Sequence, residues 1–165
     1  MSYQYKNVYW LWVSILAIFI DQVTKQLVVK HLAWFEVMPL MPHLNFTYMR
    51  NTGAAFSMFH NAPAWVFVLL GVAVSLGILM WLRRNPSGQT LVAAALALIL
   101  GGALGNVIDR ATRGYVVDFI DFYVGNWHFA AFNVADSAIT LGAGLLILDM
   151  LRDARRARAA RAPGG

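Results

Sequence analysis

A chain of 165 residues that is 59% hydrophobic and only 13% charged carries about half the share of charged residues usual in a soluble domain, and its mean hydropathy of +0.58 points to lipid as its solvent. It has no cysteine, which excludes disulfides, thiol nucleophiles and cysteine-ligated metals. The net charge of +5 does not mark a nucleic-acid binder, because five of the thirteen basic residues lie in one tail, Arg152 to Arg161, beside an apolar segment, where basic residues face the cytoplasm and anionic lipid.

Four apolar stretches occur at about residues 8–29, 62–82, 90–108 and 134–151. A bilayer core needs about 20 apolar residues per helix, so each predicts a membrane span. The chain reads as a single all-α polytopic membrane domain, with outer loops at 30–61 and 109–133 and a basic cytoplasmic tail at 152–165. Four spans put both termini on one side. Lys6, Arg83, Arg84 and the five tail arginines share that side, against Lys25, Lys30, Arg50, Arg110 and Arg113 on the other. This bias places both termini in the cytoplasm. The acids lean the other way: Asp21, Glu36, Asp109, Asp118, Asp121 and Asp136 are outer, and only Asp149 and Asp153 are cytoplasmic. Carboxylate chemistry is therefore expected at the outer face.

The first span ends in Asp21-Gln22-Val23-Thr24-Lys25 with no small-x-small cleavage site after it, so it reads as a retained helix rather than a signal peptide. Asp21 and Lys25 are four apart and can pair on one face. The pair either closes the helix at the interface or supports a polar site between helices. In the first outer loop, Pro39 and Pro42 precede an alternating run, His43 to Tyr48, and a turn at Asn51-Thr52-Gly53. This predicts a short interfacial helix at about residues 32–35 and then a small sheet lying on the membrane. Trp34, Phe35, Phe46, Tyr48, Phe56 and Phe59 are candidate aromatic anchors. Pro86 and Gly88 mark a turn between the second and third spans.

The third span carries Gly101 and Gly105, a small-xxx-small face that lets a neighbouring helix approach. It ends in a polar cluster of Asn106, Asp109 and Arg110. Asn133 is an N-cap candidate for the fourth span, which makes Asp136 its N3 residue. A carboxylate there is stabilised by the helix dipole without any chemistry, so cap and catalyst both remain open for Asp136.

His31, His43, His60 and His128 are scattered, with no zinc-binding spacing. Ser57 and Ser137, with Lys25 as a base, form no recognisable pair. The two carboxyls that stand out are Asp118, in Val116-Val117-Asp118-Phe119-Ile120, and Asp136, in Phe132-Asn133-Val134-Ala135-Asp136-Ser137. Both sit among apolar residues at the mouth of a span. Two carboxyls sharing such a place cannot both ionise easily, so one holds a proton while the other accepts one. That is the logic of aspartic proteolysis.

These motifs, in this order, resemble the bacterial lipoprotein signal peptidases (signal peptidase II). Asp21 to Lys25 is similar to the family's first motif and Asn51 to Ser57 to its second. Gly101 to Arg110 with Val116 to Ile120 resembles the third region, and Phe132 to Ser137 the last. The tail and most of the first loop match no motif. The resemblance implies four transmembrane helices, a small periplasmic β-cradle and a short interfacial helix. It implies an aspartic endopeptidase of the inner membrane, with Asp118 and Asp136 as the dyad. The substrate would be a diacylglyceryl-prolipoprotein, cut on the N-terminal side of its lipidated cysteine. Asn51, Gly53, Asn106, Arg110 and Asn133 match residues that line or support the family's site, and Asp21 and Lys25 would support it. No metal or organic cofactor is implied, and the partners would be substrate and membrane lipid, with the enzyme a monomer. Two other readings remain: a small transporter, which would need a carboxylate near the middle of a span, and a membrane scaffold, in which both aspartates are only caps. Asp109 and Asp121 are the alternative acids.

Overall fold

The computed structural model describes residues 7–53 and 62–161. Among these residues four helices are long and apolar enough to cross a membrane: α1 (Leu11–His31), α2 (Ala64–Arg84), α3 (Thr90–Arg113) and α4 (Val134–Arg161). Their outward faces expose large apolar side chains such as Trp12, Phe19, Leu69, Leu70 and Ile147. In water such a surface would aggregate; facing lipid it is the expected exterior of a multi-pass membrane protein.

Helix α3 is the axis of the bundle and packs against α1, α2 and α4. Lipid gives helices no hydrophobic reason to associate, so close van der Waals approach must do it. The buried face of α3 is accordingly built from small residues, including Ala93, Ala97, Gly101, Gly102 and Gly105. A Cβ on Gly101 would meet the backbone of Ser14 on α1, and one on Gly102 would collide with the Ala135 carbonyl oxygen on α4. A polar bond reinforces the first contact: Ser14 Oγ donates to the Ala97 carbonyl at 2.7 Å.

Four strands form an antiparallel sheet in the order β1-β2-β3-β4: β1 (Val37–Met41), β2 (Leu44–Asn51), β3 (Val116–Val124) and β4 (Trp127–His128). The architecture is thus four membrane-length helices plus a small antiparallel sheet, the combination expected from the sequence. The sheet lies at the end of the bundle where α1 and α3 finish and α4 begins. Val28, Leu32, Tyr48, Val117 and Phe119 form the core that joins it to α1. Strand β3 comes from the connection between α3 and α4. Its run Val116 to Ile120, apolar except for Asp118, has no alternation to reveal it, and a short run of this kind reads equally as strand or buried helix.

Two local departures from expectation have clear causes. Residues 32–35 form a turn and not an interfacial helix. Phe35 takes φ 66°, and the Glu36 carboxylate accepts the Ala33 amide at 2.6 Å, closing the chain before a helix can start. Helix α3 runs to Arg113, past the end expected at 108, because its polar last turns are buried among partners; Gly114 stops it at φ 80°. Helix α4 likewise continues through the basic tail to Arg161. Phe56, Phe59, Ser57 and His60 lie outside the described residues.

Strand β2 carries one extra residue between Phe46 and Met49, opposite the Ile120–Asp118 stretch of β3. Such a bulge re-aims side chains. Beyond it, Met49 lies opposite Asp118 and Asn51 opposite Val116, so Asn51 reaches Asp118 diagonally on one face. Phe132 ties the start of α4 to β3: its carbonyl accepts the amides of Phe119 and Ile120 at 2.9 and 2.8 Å, and its own amide donates to Ile120.

A methyl group at the α3–α4 contact should be costly. Gly102→Ala is expected to destabilise by about 1–3 kcal/mol, the usual range for overpacking, while Gly77→Ala, where a Cβ meets nothing within 4 Å, should be close to neutral. Thermal unfolding in detergent, followed by tryptophan fluorescence, checks the difference.

Candidate active site

Asp118 projects from β3, and Asp136 sits in the first turn of α4. Asn133 links them. Its side-chain oxygen accepts the Asp136 amide at 2.9 Å, and the Asp136 carboxylate accepts the Asn133 amide at 3.3 Å. This is a reciprocal capping box. The other end of the same side chain, Nδ2, donates to Asp118 Oδ1 at 2.7 Å. Asp136 is therefore a helix cap, and the residue that completes the cap also holds Asp118.

Each carboxyl has a further amide. Asn51 Nδ2 donates to Asp118 Oδ2 at 3.0 Å, and Asn106 Nδ2 donates to Asp136 Oδ1 at 2.9 Å. Gly53 contributes backbone: its amide donates to Asn51 Oδ1, and its carbonyl accepts Arg110 at 2.6 Å. The Arg110 guanidinium also lies 5.0 Å from the ring centre of Phe67. Asn51, Asn106, Arg110, Asp118 and Asp136 all line one cavity of about 850 Å³, whose other walls include Phe129, Phe132, Ile139 and Leu141.

Asp21 and Lys25 lie one layer behind this wall and are fully buried. Lys25 Nζ pairs with Asp21 at 2.9 Å and with Asp109 at 3.0 Å, and it donates to Asn106 Oδ1 at 2.9 Å. Asp109 also pairs with Arg113. Two acids and two bases make the cluster neutral, and buried charges persist in lipid only when paired in this way. The cluster also holds the site. Asp21 accepts the Ala135 amide at 2.8 Å, and Asp109 accepts the Val117 amide at 3.1 Å. Those amides adjoin Asp136 and Asp118.

The two alternative acids stand elsewhere. Asp109 belongs to the ion cluster. Asp121 accepts Asn45 Nδ2 at 2.9 Å and faces His128 Nδ1 at 2.8 Å. Gln22 and Arg113 were not singled out in the sequence, yet both enter the cluster: Gln22 donates to Asp21, Asp109 and the Gly105 carbonyl. The four-residue spacing of Asp109 and Arg113 was the available sign. Among the described residues, no three His, Asp or Glu side chains converge as a metal site.

Burial pushes the Asp118 carboxyl up from its usual range, and the negative charge of Asp136 adds to that effect. The amides of Asn51 and Asn133 oppose both, and the balance leaves Asp118 at about 7. Near neutral pH it is poised between proton donor and acceptor.

The description signal peptidase (SPase) II fits residues 13–152 of the chain. The chain belongs to the signal peptidase II family. A lipoprotein signal peptidase of Acinetobacter baylyi is 52% identical over 146 residues, covering 87% of this chain and 82% of its own. That of Shewanella loihica is 46% identical over 158 residues, covering 94% and 93%. Among solved structures, a bacterial membrane enzyme determined by the in meso method at 2.3 Å superposes with a TM-score of 0.84 at 30% identity, covering 93% of this chain and 94% of that one. The chain is thus a membrane-embedded peptidase of the signal peptidase II type.

Removing the central cation of the cluster leaves two buried carboxylates under-compensated. Lys25→Met is expected to destabilise by about 3–5 kcal/mol, the usual effect of breaking a buried pair from one side. Tryptophan fluorescence during thermal unfolding checks this; an unchanged midpoint would contradict the role given to the cluster.

Proposed function

We propose that this signal peptidase II acts as an aspartic endopeptidase on diacylglyceryl-modified prolipoproteins, cutting on the N-terminal side of the lipidated cysteine. The observation that carries the reading is the meeting of Asp118 and Asp136 on one cavity wall, joined through the single side chain of Asn133. A transporter would need its carboxylate near mid-span, whereas both of these lie at the sheet end of the bundle. A scaffold would need no cavity between them.

The reaction follows from the two protonation states. Asp136, as carboxylate, takes a proton from a water whose oxygen attacks the scissile carbonyl carbon. Asp118 donates its proton to the carbonyl oxygen, giving a neutral tetrahedral diol. The C–N bond then breaks. The leaving amine takes the proton from Asp136, and the diol returns one to Asp118 as the new carboxyl group forms. Every proton is accounted for, and the scheme uses no metal or cofactor. Arg110 keeps a positive charge at the cavity wall while negative charge develops on the substrate. The apolar walls along α4 suit a signal segment and acyl chains arriving from the bilayer, so membrane lipid is part of the setting. The enzyme would act as a monomer.

The charge bias of the loops supports placement in the bacterial cytoplasmic (inner) membrane with both termini in the cytoplasm. The sheet and the dyad lie at the opposite end of the bundle from the start of α1 and the end of α4, which would put them near the outer leaflet.

A gel-shift assay on a diacylglyceryl-modified prolipoprotein tests the proposal. Asp118→Asn and Asp136→Asn should each lower the cleavage rate by about a thousandfold or more, because the two act as a unit. Wild-type cleavage should also fall as pH rises through about 7, where Asp118 loses the proton it donates. Near-normal cleavage by either folded variant would remove that aspartate from the mechanism.

A further inference from the structure

A second cavity of about 530 Å³ adjoins the first. Asn51, Asp118, Ala130 and Ala131 line both, so the two spaces share a wall that includes Asp118. Their remaining walls differ in kind. The larger cavity runs along α4, past Ile139 and Leu141. The smaller one is walled by the sheet, through Met49, Arg50, Trp127 and His128. A polypeptide whose scissile bond lies at Asp118 would extend into both.

The chain between the cavities is open to such a polypeptide. Phe129 donates its amide to Phe122, and Phe132 pairs with Ile120. Ala130 and Ala131, between them, form no hydrogen bond among the described residues. An extended peptide can use such unpaired backbone as it would a strand edge.

Arg50 supplies the chemistry of the smaller cavity. Its guanidinium carbon lies 4.9 Å from the ring centre of Trp34, 5.3 Å from Tyr48 and 5.0 Å from Tyr115. Its Nε donates to the Tyr48 hydroxyl at 3.1 Å, and that hydroxyl is 2.9 Å from the hydroxyl of Tyr115. Three rings and one hydrogen bond fix an exposed side chain that would otherwise be mobile. Both terminal NH₂ groups have no acceptor among the described residues. Arg50 is the one permanent cation among the residues that line this cavity. His128, the other basic side chain there, has its Nδ1 turned to Asp121. A fixed guanidinium fork with free N–H groups matches a carboxylate.

We propose that the smaller cavity receives the substrate residues that follow the lipidated cysteine, and that Arg50 is a specificity residue selecting an acidic side chain among them. The inference rests on the peptidase reading above. It adds direction: the signal segment and the acyl chains of the cysteine lie along α4, and the residues after the cysteine leave across the sheet. A phosphate of a lipid headgroup would also suit a free guanidinium, but the continuity of this cavity with Asp118 favours the substrate itself.

The test uses the full chain in detergent with three diacylglyceryl-modified prolipoproteins, identical except for Asp, Asn or Lys within the first residues after the cysteine. Wild type should cut the Asp substrate with the highest kcat/KM. Arg50→Glu should invert the order, lowering kcat/KM on the Asp substrate by about tenfold relative to the Asn substrate and raising it on the Lys substrate. Arg50→Gln should flatten the preference. An equal loss on all three substrates would overturn the proposal and leave Arg50 as a support for the rings or a lipid contact. Equal cutting of all three by wild type would also overturn it while leaving the peptidase reading intact. Cutting of none by folded wild type would overturn both.

Discussion

Three asparagines share one rule on which the site depends: each has its side-chain oxygen tied to a donor, so its NH₂ must face a carboxyl. Asn51 Oδ1 accepts the Gly53 amide, Asn106 Oδ1 accepts Lys25 Nζ, and Asn133 Oδ1 accepts the Asp136 amide. Their nitrogens then point to Asp118, Asp136 and Asp118 respectively. An amide has one accepting and one donating end, so fixing the first leaves no freedom in the second. Neutral amides also organise two acids without neutralising either by an ion pair. Asp118 can therefore keep a proton that burial and Asp136 favour, and still be held in place.

The charge that fixes this arrangement stands behind the wall rather than in it. Asp21, Lys25, Asp109 and Arg113 form a balanced cluster where α1 meets α3. The cluster reaches the site through one side chain, Asn106, and two backbone amides, those of Ala135 and Val117. Such closeness depends on the glycines of α3. A Cβ on Gly105 would sit 2.7 Å from the Asp21 carboxylate, so the same small-residue face that lets helices pack without a hydrophobic drive also makes room for the ions.

Much of this was legible in the sequence, for particular reasons. The four spans announce themselves by length and apolarity. The capping box of Asn133 and Asp136 and the pairing of Asp21 with Lys25 are local, set by helical spacing alone. Reading Asp136 as cap or catalyst was left open because spacing describes one element at a time. Only the tertiary contact, in which Asn133 turns its other end to Asp118, shows that the cap is part of the site. Strand β3 was hidden because a run buried on both faces loses its alternation. The convergence of Asn51 with Asp118 depends on a bulge in β2 that no periodicity records. The turn at residues 32–35 depends on one left-handed residue, Phe35. The aromatic set around Arg50 joins residues from three segments, and Trp34 by itself reads as an interfacial anchor.

The central claim is that Asp118, beside Asp136, still carries a proton near neutrality. Infrared difference spectroscopy of the protein with isotopically labelled aspartate, titrated in detergent, measures this directly. The account predicts a protonated carboxyl band that disappears as pH rises through about 7 and is missing from Asp118→Asn. A wild-type protein with no protonated aspartate above about pH 5, well clear of the ordinary aspartate range, would contradict it.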